Sequence, residues 1–218
     1  MIQEITCDLF KPHEARISHG FLTRHGNSPK NIFSVKQVHG NQVCHLDTLE
    51  KLTVKPESDI IVTHLLEIPL TIKTADCVPL LFFDPHTSVI ATAHAGWRGT
   101  AAGVARKTVE TLIQHYRSNP SHLLVAMGPA IDPCCYEVDQ KVYDGIAEKE
   151  AFFKTKPGHW KVNLKKANQL QLIAIGVNPK NIWISDLCTC CREELFFSYR
   201  REGDKAGRQR SYIALRKQ

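Results

Sequence analysis

The sequence predicts an α+β fold with a mixed β-sheet core flanked by helices. Short apolar runs typical of strands occur along the whole chain, and several segments have helical spacing of apolar residues. These strands and helices do not alternate as a regular βαβ repeat, which argues against a parallel α/β sheet. The chain of 218 residues contains no internal repeat and no Pro/Gly/Ser linker. We therefore expect one domain that spans residues 1–218.

The first half of the chain is predicted to be mainly β-strand. Apolar segments predict strands at 32–35, 42–44, 59–63 and 70–74, with a turn at Gly40-Asn41. Two longer apolar runs, Val78 to Phe83 and Val89 to Ala93, are joined by the turn-forming residues Asp84 to Ser88. This pattern predicts a β-hairpin.

Helical patterns are concentrated in the second half. A helix is predicted to begin near Thr100, whose hydroxyl is a suitable N-cap, and to end before Asn119-Pro120. A second helix is predicted over 138–153. A third is expected from the N-cap Asn163 to Ile175, with Gly176 as its stop signal. Further strands are predicted at 122–127, 182–184 and 212–215.

Composition narrows the function classes. No apolar run reaches membrane-spanning length, and the N-terminus lacks the basic and apolar blocks of a signal peptide, so we expect a cytoplasmic protein with no membrane partner. No nucleic-acid recognition module is evident. The formal charge is +6, and basic residues gather in the C-terminal region. That region is either a solvated positive surface or a phosphate-binding loop. The oligomeric state is not readable.

The eight cysteines do not form a paired C-x2-C zinc-finger pattern. In a reducing compartment they are expected to be thiols, most of them small buried side chains. The cluster of Cys188, Cys190 and Cys191 has an alternative interpretation, in which these cysteines bind a second metal ion.

One cysteine and two histidines are candidate ligands of a catalytic metal ion. His39, Cys77 and His94 each lie at the end of a predicted strand, and strand ends can converge at one edge of a sheet. A thiolate and two imidazoles suit Zn²⁺, and three protein ligands leave a fourth position for water. A chain with 11 histidines and eight cysteines offers many such triplets, so the pattern alone also fits buried structural residues.

Five segments resemble, in order, the signature blocks of the YfiH-type, laccase-domain family. They are VKQVHGNQV (35–43), TIKTADCVPLLFFDP (71–85), AHAGWRGTAAGV (93–104), MGPAIDPCCYEV (127–138) and CTCCREELFFSYRREGDKAGRQ (188–209). The resemblance implies a mixed α+β fold and a metal site at His39, Cys77 and His94, with zinc as the ion. It also implies phosphorolysis of adenosine, inosine, guanosine and methylthioadenosine by free phosphate, together with adenosine deamination. Purine nucleosides and phosphate are thus the expected partners.

Residues near these ligands have candidate roles in that chemistry. Asp76 is either the proton shuttle of a deaminase or a structural acid bonded to backbone. Arg98 is a candidate phosphate clamp, and Arg24 is a second one or a surface ion-pair residue. Gln37 is placed to orient a ligand histidine. The catalytic candidates are thus His39, Cys77, His94 and Asp76, and the substrate-binding candidates are Arg24, Arg98 and Gln37.

Other functions compete with this one. A multicopper oxidase needs His-x-His pairs, and no two of the 11 histidines are separated by one residue; a single copper ion remains an alternative to zinc. A metal-free hydrolase with Cys77 as nucleophile is also compatible with the residues. The further alternatives are a factor that edits peptidoglycan precursors and a structural zinc module that binds a partner.

Overall fold

The computed structural model describes residues 1–53 and 55–217. Within them the strands are β1 (Glu4–Ile5), β2 (Ile17–Leu22), β3 (Phe33–Ser34), β4 (Val43–Leu46), β5 (Ile60–Thr63), β6 (Leu70–Thr74), β7 (Val78–Asp84), β8 (Val89–Ala95), β9 (Leu124–Met127), β10 (Glu137–Asp139), β11 (Phe152–Lys156), β12 (His159–Val162), β13 (Ile182–Ile184) and β14 (Gln209–Leu215). The α-helices are α1 (Trp97–Ala101), α2 (Val104–Tyr116), α3 (Gln140–Gly145), α4 (Leu164–Ala174) and α5 (Tyr199–Glu202). Short 3₁₀ helices lie at Asp8–His13, Leu49–Thr53, Pro120–His122, Lys149–Ala151, Pro179–Asn181 and Gly203–Lys205.

The strands form three sheets. A six-stranded sheet has the order β13-β9-β7-β8-β5-β4, a five-stranded sheet has the order β1-β2-β14-β6-β3, and a three-stranded sheet has the order β10-β12-β11. Both larger sheets mix parallel and antiparallel pairs. In the six-stranded sheet β4 pairs with β5 in parallel and β7 pairs with β8 in antiparallel; in the five-stranded sheet β3 pairs with β6 in parallel and β14 pairs with β2 in antiparallel. Together with the helices, this confirms the predicted α+β class.

The six-stranded sheet is the central layer, as strand β7 shows. Leu80 and Phe82 pack into a core that also contains apolar residues of α2 and α4. Leu81 and Phe83 point to the opposite face, where residues of β2 and β14 cover them. The sheet is thus buried on both faces, between the helices and the five-stranded sheet. Burial on both faces explains why β7 is apolar from Val78 to Phe83 rather than alternating.

Strands β7 and β8 form the predicted hairpin, in which Val78 pairs with Ala95 and Asp84 pairs with Val89. The turn-rich loop after Asp84 closes one end. The other end carries Cys77, just before β7, and His94, near the end of β8. The hairpin alone therefore brings two residues together that are well separated in the sequence.

The predicted third helix, α4, is also present. The side chain of Asn163 accepts a hydrogen bond from the backbone N–H of Lys166, as an N-cap does. After the helix, Gly176 adopts a φ of 97°, a left-handed conformation that glycine tolerates best.

The predicted start of the first helix is wrong. Instead of capping it, Thr100 lies inside the short α1 and is fully buried. Gly103, with a φ of 73°, separates α1 from α2. Periodicity did not show this break because the apolar spacing continues through it.

The helix predicted over 138–153 is also wrong. This region contains β10, the short α3 and the start of β11. Val138 pairs with Trp160 of β12, a residue distant in sequence. This long-range strand pairing outweighs the local helical pattern.

The helices of the described residues include none with both the length and the apolar character needed to cross a bilayer.

Candidate active site

The three predicted metal ligands converge at one end of the β7–β8 hairpin. One donor atom from each of His39, Cys77 and His94 lies within 4.8 Å of the other two. The rings of His39 and His94 meet edge to face, with centroids 4.7 Å apart. One sulfur and two imidazole nitrogens at this spacing fit a tetrahedral ion such as Zn²⁺, as the chemistry of the donors predicts. The residues present therefore could hold a metal ion.

The buried carboxylate of Asp59, just before β5, organises this ligand set. Its Oδ1 accepts a hydrogen bond of 2.7 Å from Nδ1 of His94 and one of 3.1 Å from the backbone N–H of His39. Its Oδ2 accepts from the backbone N–H of Gly40 at 2.7 Å. Since Asp59 engages Nδ1 of His94, Nε2 is the nitrogen left for a metal ion.

Sequence reasoning missed Asp59. The signal that points to it is an acid directly before β5, whose residues are all buried. A carboxylate in such surroundings needs charged or hydrogen-bonding partners.

Gly96 has no side chain, and this leaves room for the side chains of Cys77 and His39. A Cβ atom at this position would lie 2.9 Å from Sγ of Cys77 and 3.3 Å from Nδ1 of His39. Both distances are tighter than ordinary van der Waals contact. Any larger residue here would therefore displace the thiol or the imidazole.

Cys77 and His94 alter each other's protonation. Burial alone raises the pKa of the Cys77 thiol, but the imidazoles of His94 and His39 outweigh burial and lower the pKa to about 6. Burial likewise lowers the pKa of His94, but Cys77 and Asp59 outweigh it and raise that pKa to about 9. The metal-free pair is accordingly a thiolate beside an imidazolium, and a bound cation would replace the imidazolium proton.

The three ligands form part of the wall of a cavity of about 1010 Å³. His94 is buried, Cys77 is partly exposed and His39 is exposed. This gradient means that an ion held by the three side chains faces the cavity rather than the core. A ligand position open to substrate is typical of catalytic metal sites.

The cavity is strongly basic. Its lining includes the cationic side chains of Lys36, Lys55, Lys73, Arg98, Arg200 and Arg208, and Asp76 is the acidic residue among the described lining residues. Burial, aided by the charges of Arg210 and Lys55, lowers the pKa of Lys73, as expected where cations crowd together. An anion entering the cavity neutralises this repulsion.

Aromatic faces lie among these cations. The guanidinium of Arg98 is 4.5 Å from the ring centroid of Trp97, and that of Arg200 is 5.1 Å from the ring centroid of Tyr136. Both rings line the cavity. The cavity thus offers positive charge for an anion and flat apolar surface for a planar ring.

Asp76 is buried and has a φ of 86°, in the left-handed region. Its Oδ1 accepts a hydrogen bond from Thr189, and its Oδ2 accepts from the Ser198 hydroxyl and the Arg200 backbone N–H. These contacts attach the loop between β6 and β7 to the C-terminal segment that supplies cationic residues to the cavity. They provide a structural role for Asp76, and its role in proton transfer stays a prediction.

The three predicted substrate-binding residues differ in position. Arg98 and Gln37 both line the cavity. Gln37 exchanges two hydrogen bonds of 2.9 Å with the backbone of Lys73, so the histidine-orienting contact that the structure shows comes from Asp59. Arg24 is not among the lining residues described; it donates to the Glu193 carbonyl and stacks on Phe197.

The C-terminal basic residues are divided by the fold. Arg200 and Arg208 line the cavity, and these are the basic residues that a phosphate-binding loop requires. Arg201 instead donates to the backbone carbonyls of Thr189, Cys190 and Phe196. Arg201 therefore fixes the loop, whereas Arg200 and Arg208 place positive charge in the cavity.

Residues 15–216 match the family described as multi-copper polyphenol oxidoreductase laccase. The chain belongs to this family. It is 37% identical over 196 residues to the purine nucleoside phosphorylase YlmD of Geobacillus stearothermophilus, covering 84% of this chain and 72% of that protein. It is 36% identical to the Bacillus subtilis YlmD, also named a purine nucleoside phosphorylase, over 75% of this chain and 61% of that protein. The family resemblance inferred from the sequence blocks is thus confirmed.

Two solved structures share the fold of this chain. The crystal structure of Bacillus licheniformis YfiH superposes with a TM-score of 0.90 at 29% identity, covering 98% of this chain and 97% of that one. The structure of YlmD from Geobacillus stearothermophilus gives a TM-score of 0.87 at 31% identity, covering 97% and 94%.

Proposed function

We propose that this chain is a zinc-dependent enzyme that cleaves purine nucleosides with phosphate, using His39, Cys77 and His94 as the metal ligands. The observation that carries the proposal is the convergence of these three donors on a large cavity with many cationic side chains. Two relatives named purine nucleoside phosphorylase, at 37% and 36% identity, support the same activity. We propose adenosine, inosine, guanosine and methylthioadenosine as substrates.

A zinc ion at this site would supply Lewis-acid activation of a substrate oxygen or of water. Nδ1 of His94 stays hydrogen-bonded to Asp59, which fixes the imidazole. Both groups are buried, so the ligand orientation is set before substrate enters.

In phosphorolysis the cationic residues bind phosphate and orient it toward the sugar. A phosphate oxygen forms a bond to C1′ of the ribose while the bond from C1′ to the purine nitrogen breaks. The purine takes up a proton, and the second product is ribose 1-phosphate. Arg98 and Arg200 are suited to hold the phosphate, and the rings of Trp97 and Tyr136 are suited to contact the base.

Adenosine deamination is the second activity we propose for this site, because a ligand set of cysteine and histidine also occurs in zinc deaminases. Water supplies the oxygen that replaces the C6 amino group, and ammonia leaves. We assign proton transfer to Asp76, which must exchange one of its hydrogen bonds for the substrate.

The test is to incubate the purified chain with adenosine and phosphate, with and without a metal chelator, and to identify the products by chromatography. Adenine with ribose 1-phosphate indicates phosphorolysis, and inosine indicates deamination. We expect chelation to abolish turnover and added zinc, rather than copper, to restore it.

His39→Ala, Cys77→Ser and His94→Ala should lose at least about 100-fold in kcat/KM. Exposed His64→Ala is the matched control. Full turnover in all three ligand variants would rule out this site.

A metal-free cysteine hydrolase is the alternative that one observation favours. The lowered pKa of Cys77 makes its sulfur a thiolate near neutral pH, with His94 beside it as an acid. Such an enzyme keeps its activity in chelator and loses it after thiol alkylation. The same incubation distinguishes it from the zinc enzyme.

A further inference from the structure

Four cysteines form a second cluster away from the candidate active site. Cys134 and Cys135 follow β9, and Cys188 and Cys191 follow β13. Their four sulfur atoms all lie within 4.8 Å of one another. Sγ of Cys191 is 3.5 Å from Sγ of Cys134 and 3.3 Å from Sγ of Cys135. Cys190 lies outside this group, although it is adjacent to Cys191 in sequence.

These distances match a tetrahedral metal site. Four sulfurs at about 2.3 Å from one zinc ion are about 3.8 Å from each other. A disulfide joins only two cysteines, so it does not account for four sulfurs that approach one common point. Small shifts of the side chains are sufficient to place one ion at that point.

Backbone hydrogen bonds hold the four cysteines in place. The backbone N–H of Thr189 donates to the carbonyl of Ala130 at 3.1 Å, and that of Asp132 donates to Sγ of Cys188 at 3.4 Å. The N–H of Cys135 donates to the Asp132 carbonyl at 2.9 Å, closing the turn that carries both adjacent cysteines. An N–H group that donates to a thiolate sulfur is a usual outer contact of a metal–thiolate site.

We propose that Cys134, Cys135, Cys188 and Cys191 bind a structural zinc ion. A tetrahedral set of four thiolates is typical of zinc or iron. Cys134 and Cys191 are exposed to solvent. Zinc fits this position because it has no redox chemistry that needs shielding from water or oxygen. The site is closed, since the protein supplies all four ligands, unlike the three-ligand set of the cavity.

The ion joins two loop segments, one after β9 and one after β13. Residues 185–198 connect β13 to α5 without a helix or strand. From this segment the Thr189 side chain donates to Asp76 at 2.7 Å, and Asp76 directly precedes Cys77. On the other side, Tyr136, which lines the cavity, follows Cys135. The zinc therefore stabilises one wall of the active-site cavity from behind.

Metal analysis of the purified chain tests the proposal. We expect about two zinc ions per chain in the natural sequence and about one in Cys188→Ser or Cys191→Ser. The double variant His39→Ala/Cys77→Ser should also retain about one. Cys190→Ser is the matched control, because it removes a neighbouring sulfur outside the group, and it should retain about two.

A second measurement does not depend on the folding of the cysteine variants. In the His39→Ala/Cys77→Ser variant the four-cysteine site is left intact, so Co²⁺ added after its zinc has been removed with a chelator under reducing conditions should give an intense thiolate-to-cobalt charge-transfer band. Excess zinc should remove this band. Unchanged zinc content in Cys188→Ser and Cys191→Ser, or absence of the cobalt band, would overturn the proposal. So would alkylation of the denatured, unreduced protein that leaves two of these four cysteines blocked as a disulfide.

Discussion

At the scale of single residues, Asp59 connects the backbone to the metal ligands. It is fully buried and bonds the His94 ring as well as the backbone amides of Val38, His39 and Gly40. Burial alone raises the pKa of this carboxyl, but His94 and the Gly40 amide outweigh burial and hold it below its usual value. Asp59 therefore stays ionised and supports the basicity of His94 toward a metal.

Asp59→Asn should weaken metal binding at the three-ligand site about 10- to 100-fold, because the neutral amide orients His94 less well and meets the backbone N–H donors with its own N–H groups. Competition with a chromogenic chelator measures this affinity. The zinc that His39→Ala loses identifies the fraction bound at the three-ligand site, and only this fraction is compared. Asp84→Asn is the control, since Asp84 is equally buried but lies at the other end of the hairpin. A change below about twofold in Asp59→Asn would contradict the role assigned to Asp59.

At the scale of elements, the short α1 depends on α4 for its position. Nδ2 of Asn168 donates to Oγ1 of Thr100 at 2.9 Å, and Nε2 of Gln171 donates to the Thr100 carbonyl at 2.8 Å. Both donors are buried side chains of α4. Since α1 carries Trp97 and Arg98, these two bonds also fix the side of the cavity proposed to bind substrate.

Thr100→Val should lower the free energy of unfolding by about 1–3 kcal/mol, because it keeps the shape of the side chain but leaves a buried Asn168 N–H without its acceptor. Urea unfolding followed by circular dichroism measures the loss. Thr108→Val is the matched control: Thr108 is also fully buried, but its hydroxyl donates only to the Val104 carbonyl within α2. Equal losses in the two variants would show that the contact between α1 and α4 contributes little.

At the scale of the whole molecule, the five-stranded sheet contains a buried histidine that makes stability depend on pH. His19 of β2 is 6% exposed, and its Nε2 accepts a hydrogen bond from the backbone N–H of Cys7. Burial lowers its pKa from 6.5 to about 4. Between these values the unfolded chain binds a proton that the folded chain does not, so folding stability decreases as the pH falls.

This linkage predicts that the folded state loses about 3 kcal/mol through His19 as the pH falls from 6.5 to about 4. Urea unfolding at a series of pH values should show a shallower acid dependence in His19→Gln, whose amide oxygen can accept the same hydrogen bond. Exposed His64→Gln should keep the natural dependence. Identical pH profiles for the natural protein and His19→Gln would show that His19 does not cause the loss of stability at low pH.

Local sequence was sufficient to predict an element when that element depends on residues that are close together along the chain. The hairpin of β7 and β8 follows from two apolar runs around a turn-forming loop, and α4 follows from its Asn163 cap and Gly176 stop. The sequence blocks also identified the family. The failures at Thr100 and at 138–153 have one cause: the buried acceptor for Asn168 and the pairing of Val138 with Trp160 involve residues far apart in sequence.

Only the tertiary structure decided which distant groups meet. The sequence predicts His39, Cys77 and His94 as ligands, but their spacing, their common carboxylate Asp59 and the basic cavity beside them arise when the sheets pack. The same packing brings Cys134 next to Cys191, 57 residues later, and excludes the adjacent Cys190 from the group. Neighbouring residues determine backbone conformation over a few positions, whereas the convergence of side chains depends on the burial of whole layers.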